Sequence, residues 1–215
     1  MSLTLVIGNR NYSSWSLRPW LAMKQAGLAF DEVRITLSRP DTTSQILRYT
    51  PSGRVPCLID GALAVWDSMA ICEYVNEQYA DGSLWPHDVG RRARARSVAA
   101  EMHSGFAALR THLPMDIRAR RPDQGAAALA RAQVAAEVAR IHGLWSDCLV
   151  ASGGPFLFGG FSIADAFFAP VVTRFRTYAI PLPALLARYS DAVFALPAMQ
   201  QWVAAAAAEP ETLDD

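Results

Sequence analysis

Four short segments of this chain combine residue types that can do chemistry. In the first, Asn11-Tyr12-Ser13-Ser14-Trp15-Ser16-Leu17-Arg18, hydroxyls gather where a short apolar strand gives way to a helix. The N-terminal end of a helix carries partial positive charge and unbonded N–H groups, so a hydroxyl donor beside it favours a thiolate over a thiol and lowers the thiol pKa of a bound ligand. The same serines are also ordinary capping residues. In the second segment, Val55-Pro56 opens a strand. Proline cannot donate into a ladder, so this place implies an edge or a cis turn. A cis bond leaves the Val55 backbone at a rim, able to pair with an extended peptide-like ligand, although trans is the commoner form of an X–Pro bond. In the third, Trp66-Asp67-Ser68, a hydroxyl, free N–H groups and a helix dipole suit a carboxylate, and Asp67 can hold an ammonium; an aspartate cap alone also explains the segment. In the fourth, Phe161 to Pro170, Ser162 and Asp165 stand three apart as a capping box, which reads as structural, and Pro170 is expected to kink the helix they open.

The elements that must position these groups can be read from periodicity. Leu3 to Ile7 is a buried strand stopped by Gly8-Asn9. The helix after it carries Leu17, Trp20, Leu21, Met23 and Ala26 and ends at a glycine cap, Gly27. Because proline is tolerated in the first helical turn, Pro19 selects Ser16 as the cap and leaves Ser13 and Ser14 in the loop. Phe30 to Leu37 alternates as a second strand, and one weak helical turn is expected at Ser44 to Tyr49. Val55 to Val65 reads as a hairpin around Asp60-Gly61, and Asp67 caps a helix to Tyr79. The order βαβαββα implies a sheet with covering helices. After Trp85-Pro86 the pattern becomes all helical, with long helices over about 89–118 and 124–150 and prolines dividing the whole into five. The expected organisation is a first domain at 1–81, a linker at 82–87 and an all-α domain at 88–215.

Composition excludes several classes. The 215 residues are 52% hydrophobic, enough for a substantial core, and 20 basic side chains balance 20 acidic ones, so no global field favours nucleic acid, an acidic membrane surface or a polyanion. The run Arg91, Arg92, Arg94 and Arg96 reads as a solvated or dimer-facing surface. Cys57, Cys72 and Cys148 form no CxxC and no metal-ligand spacing, which points to a reducing compartment and no metal site. The N-terminus has no basic lead, and no apolar run reaches the ~18 residues of a membrane span, so a soluble cytoplasmic protein is expected.

The joint order of the four segments resembles the cytosolic glutathione transferase family over essentially the whole chain. Ser13-Ser14-Trp15-Ser16-Leu17-Arg18 is similar to the zeta-class Ser-Ser-Cys-Ser-x-Arg segment, whose first serine activates glutathione. The resemblance implies a thioredoxin-like first domain, glutathione as co-substrate and Ser13 as the activating hydroxyl, with Tyr12 as its rival. It implies that Ser14 and Trp15 lie beside the ligand, that Val55 pairs with it next to a cis Pro56, that Asp67 and Ser68 take its γ-glutamyl end, and that Arg39 and Arg54 close over its glycyl end. A second pocket, between the first loop and the fourth helix, would draw on Asn11, Tyr12, Met102, His103, Phe106 and Arg110 and hold a small hydrophobic electrophile. A homodimer is expected on the same ground. Trp15 replaces the zeta cysteine, which makes maleylacetoacetate isomerase the second reading, and a non-catalytic glutathione-binding protein is the rival from another class. Without a cysteine at the activating position, omega-like thiol–disulfide exchange lacks its sulfur nucleophile.

Overall fold

The first strand, β1 (Leu3–Ile7), lies in the middle of the sheet because it is apolar on both faces. In the computed structural model, which describes residues 3–213, Leu3, Leu5 and Ile7 face one layer of the core and Val6 the other. β1 pairs parallel with β2 (Phe30–Arg34) and antiparallel with β3 (Cys57–Asp60), which pairs antiparallel with β4 (Leu63–Trp66), giving the order β2-β1-β3-β4. Helices α1 (Ser14–Gln25) and α3 (Ser68–Tyr79) cover the first face through Leu17, Leu21, Ile71, Cys72 and Val75. The short α2 (Thr42–Ile46) places Ile46 with Val6, Ile35 and Cys57 on the second. This is the expected βαβαββα thioredoxin-like arrangement.

Three expectations about these elements are corrected. β2 stops at Arg34 rather than Leu37, because the chain leaves the sheet there: the Leu37 N–H donates to Asn9 Oδ1 at 2.8 Å instead of to a strand. The hairpin register pairs Asp60 with Leu63, so its two-residue turn is Gly61-Ala62, with Gly61 at φ 57°. Most consequentially, α1 is capped by Ser13, not Ser16, and contains Pro19 in its interior. The proline forfeits one hydrogen bond, but Leu17, Trp20, Leu21, Ala22 and Met23 are all buried on this helix, and tertiary packing outweighs the local preference.

Among the described residues seven helices follow rather than the expected five: α4 (Val89–Ser104), α5 (Ala107–His112), α6 (Pro122–Leu129), α7 (Ala132–Ser152), α8 (Ile163–Thr177), α9 (Ala184–Phe194) and α10 (Pro197–Ala207). The expected single helix over 89–118 breaks at Gly105. A Cβ there would lie 2.8 Å from the Glu101 carbonyl, and Phe106 follows in the left-handed region at φ 60°. The carboxylate of Glu137 on α7 then takes the Ala108 and Leu109 N–H groups at 3.2 and 2.7 Å, a cap supplied from another helix. The expected helix over 124–150 is also two, divided at Arg131, whose backbone is extended. The Ser162–Asp165 capping box is present, and α8 runs on through Pro170. Nearly every residue of α8 is buried; it packs on α1 and α4 and so joins the helical part to the α/β part. No helix among the described residues is long and apolar enough to cross a membrane.

Candidate functional site

Two adjoining cavities open where α1 begins. The larger, about 700 Å³, includes Ser13, Ser14, Tyr12, Leu37, Ile46 and Arg110 in its walls. The smaller, about 200 Å³, lies against Ser52, Pro56, Trp66, Asp67 and Ser68. Trp15, Arg54 and Val55 border both.

The Asn9 carbonyl holds the entry to α1 by accepting from the Tyr12 and Ser13 N–H groups at 3.2 and 2.8 Å. Ser13 Oγ accepts from the Ser16 N–H at 3.4 Å and lies 2.7 Å from Ser16 Oγ. Opposite it, the Val55–Pro56 bond is cis, and the Val55 N–H and carbonyl have no hydrogen-bond partner among the described residues. An unpaired backbone edge beside a helix N-terminus suits a peptide-like ligand.

Asp67 caps α3 through Oδ1, which accepts from the Met69 and Ala70 N–H groups at 2.7 and 3.4 Å; its φ is 74°. Ser68 Oγ is buried with no partner among the described residues, at the wall of the smaller cavity. A buried hydroxyl without a partner is costly unless a ligand completes it, so a polar group is expected there. The γ-glutamyl end of glutathione has the carboxylate this donor needs, and the donor set fits.

Beneath Trp15 sits a buried cation. Arg18 is fully buried, its guanidinium 4.2 Å from the Trp15 ring centroid and 4.7 Å from that of Phe167. Its NH1 lies 3.4 Å from His103 Nδ1, and His103 Nε2 lies 3.3 Å from Asp67 Oδ2. An arginine can only donate, so Nδ1 is the acceptor and the imidazole proton sits on Nε2, towards Asp67. Burial lowers the His103 pKa against the pull of Asp67, which keeps the ring neutral, and burial also lowers Arg18.

The walls of the larger cleft are cationic as well as apolar. Arg174, on the largely apolar α8, donates Nε to the Leu113 carbonyl at 2.9 Å and leaves NH1 buried without a partner among the described residues. Burial pulls its pKa down to about 9, so it remains charged at pH 7. Arg110 donates to the Met102, Gly105 and His103 carbonyls, lies 4.7 Å from the Trp15 ring, and likewise has NH1 unpaired. Arg121 pairs with Asp116 at 2.8 Å.

Of the residues expected in the second pocket, Tyr12 and Arg110 line the cleft; its hydroxyl accepts from Arg118 at 3.1 Å in the case of Tyr12. The other four do not line it. Asn11 is buried in a network with Asp116 and the Arg118 N–H, and Met102 and Phe106 are in the core. His103 lies under Trp15, edge to ring at 5.3 Å. For the helical residues the break at Gly105 is the reason: Met102 and His103 lie before it and Phe106 and Arg110 after it, so these four do not share one continuous helical face. Arg39 is exposed and borders neither cavity, whereas Ser38 of the same loop and Thr42 and Thr43 at the start of α2 line the larger one. Arg174, Asp116 and Leu213 were not anticipated. Arg174 had a readable signal, a charge on the same stripe as Phe167 and Pro170. The cysteines are buried, and burial raises their thiol pKa values, so none is poised as a nucleophile.

A thioredoxin-like sheet with a cis-proline edge, a hydroxyl-capped first helix and an appended helical part defines a class of thiol-ligand-binding proteins. The family described as "Glutathione S-transferase, N-terminal domain" matches residues 12–78. Glutathione S-transferase Z2 of Arabidopsis thaliana is 28% identical over 197 residues, covering 89% of this chain and 86% of that protein. A glutathione transferase homolog from Burkholderia, solved with bound glutathione, superposes with a TM-score of 0.71 at 26% identity, over 96% of this chain and 99% of that one. Maleyl pyruvate isomerase, a bacterial zeta-class structure, shares the fold at 24% identity with a TM-score of 0.73, over 98% and 100% of the two chains. Residues 12–78 thus carry a glutathione S-transferase N-terminal domain, and along most of its length the chain is similar to zeta-class glutathione transferases.

Proposed function

We propose that this protein is a glutathione transferase in which Ser13 stabilises the glutathione thiolate and the larger cleft presents a small electrophile bearing a carboxylate. The observation that carries the reading is the Ser13 hydroxyl at the positive end of α1, in a cleft bordered by the unpaired Val55 backbone. Val55 and cis Pro56 hold the cysteinyl part of the co-substrate, Asp67 and Ser68 its γ-glutamyl end, and Arg54 its glycyl end, with Ser14 and Trp15 beside the sulfur. The thiolate attacks the electrophilic carbon with its electron pair, the new S–C bond forms, and the leaving group departs with the electrons of the broken bond. Residues 1–81 serve as the glutathione-binding domain, joined by 82–87 to the helical domain at 88–215.

The unpaired NH1 groups of Arg110 and Arg174 favour an anionic rather than a purely hydrophobic electrophile. They also favour a second reading, glutathione-dependent cis–trans isomerisation of a maleyl-type acid, whose thiolate adds to the double bond and leaves again after rotation. Turnover across a panel of neutral aryl halides, carboxylated electrophiles and maleyl acids separates the readings. Retention on immobilised glutathione with no turnover of any of them would leave only a binding protein. A cytoplasmic homodimer completes the proposal; a monomer mass by light scattering at micromolar concentration contradicts that part.

A further inference from the structure

We infer that Ser16 is a positioning residue that commits the Ser13 hydroxyl to donate into the cleft; this rests on the Ser13 reading above. Ser16 is fully buried in the first turn of α1, and its Oγ accepts the Gly8 N–H, at the end of β1, at 3.1 Å. Its Oγ also lies 2.7 Å from Ser13 Oγ, a distance at which one of the two hydroxyls donates to the other. A hydroxyl has one proton and two acceptor sites, so only two arrangements exist.

If Ser13 donated to Ser16, Ser16 Oγ would accept twice, from Gly8 and from Ser13, and its own proton would be buried with no other acceptor among the described residues. That arrangement costs an unsatisfied buried donor. If Ser16 donates to Ser13, Ser16 is complete, with one bond accepted and one given. Ser13 Oγ then accepts from both the hydroxyl and the N–H of Ser16, its acceptor sites are filled, and its remaining proton must leave towards the cleft. The second arrangement is the satisfied one. The strand end thus sets the polarity of the site through the sequence Gly8 N–H to Ser16 to Ser13 to sulfur. Each bond also polarises the next, strengthening the terminal donor.

The test is the ultraviolet titration of the thiolate of glutathione bound to the wild type and to Ser13→Ala, Ser16→Ala, Ser16→Thr and the double alanine variant. Ser16→Ala should raise the bound thiol pKa by about 0.5–1 unit, a roughly 3- to 10-fold loss of thiolate below the pKa. Ser16→Thr, which keeps the hydroxyl, should restore the wild-type value, and the double variant should titrate like Ser13→Ala alone. If Ser16→Ala does not fold, Ser16→Cys, a near-isosteric weak donor, takes its place with the same direction of shift expected. A raised pKa in Ser13→Ala beside an unchanged one in the Ser16 variant overturns the inference and leaves Ser13 standing. No shift in Ser13→Ala overturns the Ser13 reading itself. Additive shifts in the double variant also overturn the inference, since they make Ser16 act independently of Ser13.

Discussion

Replacing Arg174 by methionine should move stability and ligand recognition differently, because the structure gives the guanidinium little to do for the fold. The side chain is 4% exposed, has no carboxylate partner among the described residues, donates Nε to the Leu113 carbonyl and leaves NH1 unsatisfied. Losing the Leu113 bond costs on the order of 1–3 kcal/mol, while removing an unpaired buried donor returns about the same. The net change in folding free energy should therefore lie within about 1 kcal/mol of zero, a Tm shift of a few degrees at most. A carboxylate reaching NH1 from the cleft makes a charge-assisted bond of about 1.5–3 kcal/mol, so its loss should weaken such a ligand about 10- to 150-fold. The assay compares kcat/KM for a carboxylated and a neutral electrophile, and the inhibition constant of a simple dicarboxylate, with thermal melts alongside. Equal losses for both electrophiles, or an unchanged dicarboxylate constant, would refute the anionic-cleft reasoning.

Acidification should destabilise the protein. His103 and His142 both have burial-depressed pKa values, so below the ordinary histidine pKa the unfolded chain binds protons that the folded one does not. Stability is complete above about pH 6.5 and falls as pH drops from there towards the folded pKa values; His142→Phe should flatten that fall in a denaturant series, and an unchanged slope would count against it. Gly125→Ala should cost about 1–3 kcal/mol or more, because the added Cβ would sit 1.9 Å from the Tyr178 carbonyl on a backbone that cannot swing away; a melt within a degree of wild type contradicts this. Glu209→Gln should cost about 1–3 kcal/mol, since this buried carboxylate accepts from the Arg10 and Asn11 N–H groups at 2.8 and 3.3 Å and so anchors the loop leading to Ser13. Chemical denaturation at pH 7 reads that effect directly.

Much of the fold was legible because its signals were local. The apolar run of β1, the Gly27 and Asp67 caps and the Ser162–Asp165 box each act within a few residues, and each is found where expected. What was misread depended on distant partners. Pro19 pointed to a helix starting at Ser16, but the packing of Trp20 and Leu21 carries the helix back to Ser13. The break after Ser104 is completed by Glu137, some thirty positions away in the chain, and no pattern within 89–118 announces that cap. The same break explains the second pocket: spacings of three and four align Met102, His103, Phe106 and Arg110 only if the helix is continuous. Arg174 comes to the cleft from α8, and its meaning depends on a carbonyl at Leu113. The segments around Ser13, Val55 and Ser68 stand out in the sequence because each sets a polar group at or near an element start, where backbone donors are left unbonded.

The hydrogen bond from the Ser13 hydroxyl to the glutathione sulfur is the centre of the proposed chemistry, and the thiol pKa of glutathione bound to the intact protein measures it directly. The predicted value lies below the ~8.5 of an ordinary thiol, and Ser13→Ala should raise it by about 1–2 units, the equivalent of about 1.5–3 kcal/mol for a hydrogen bond to a charged group. A bound thiol that titrates like free glutathione, or one whose pKa is the same in wild type and Ser13→Ala, would contradict the account.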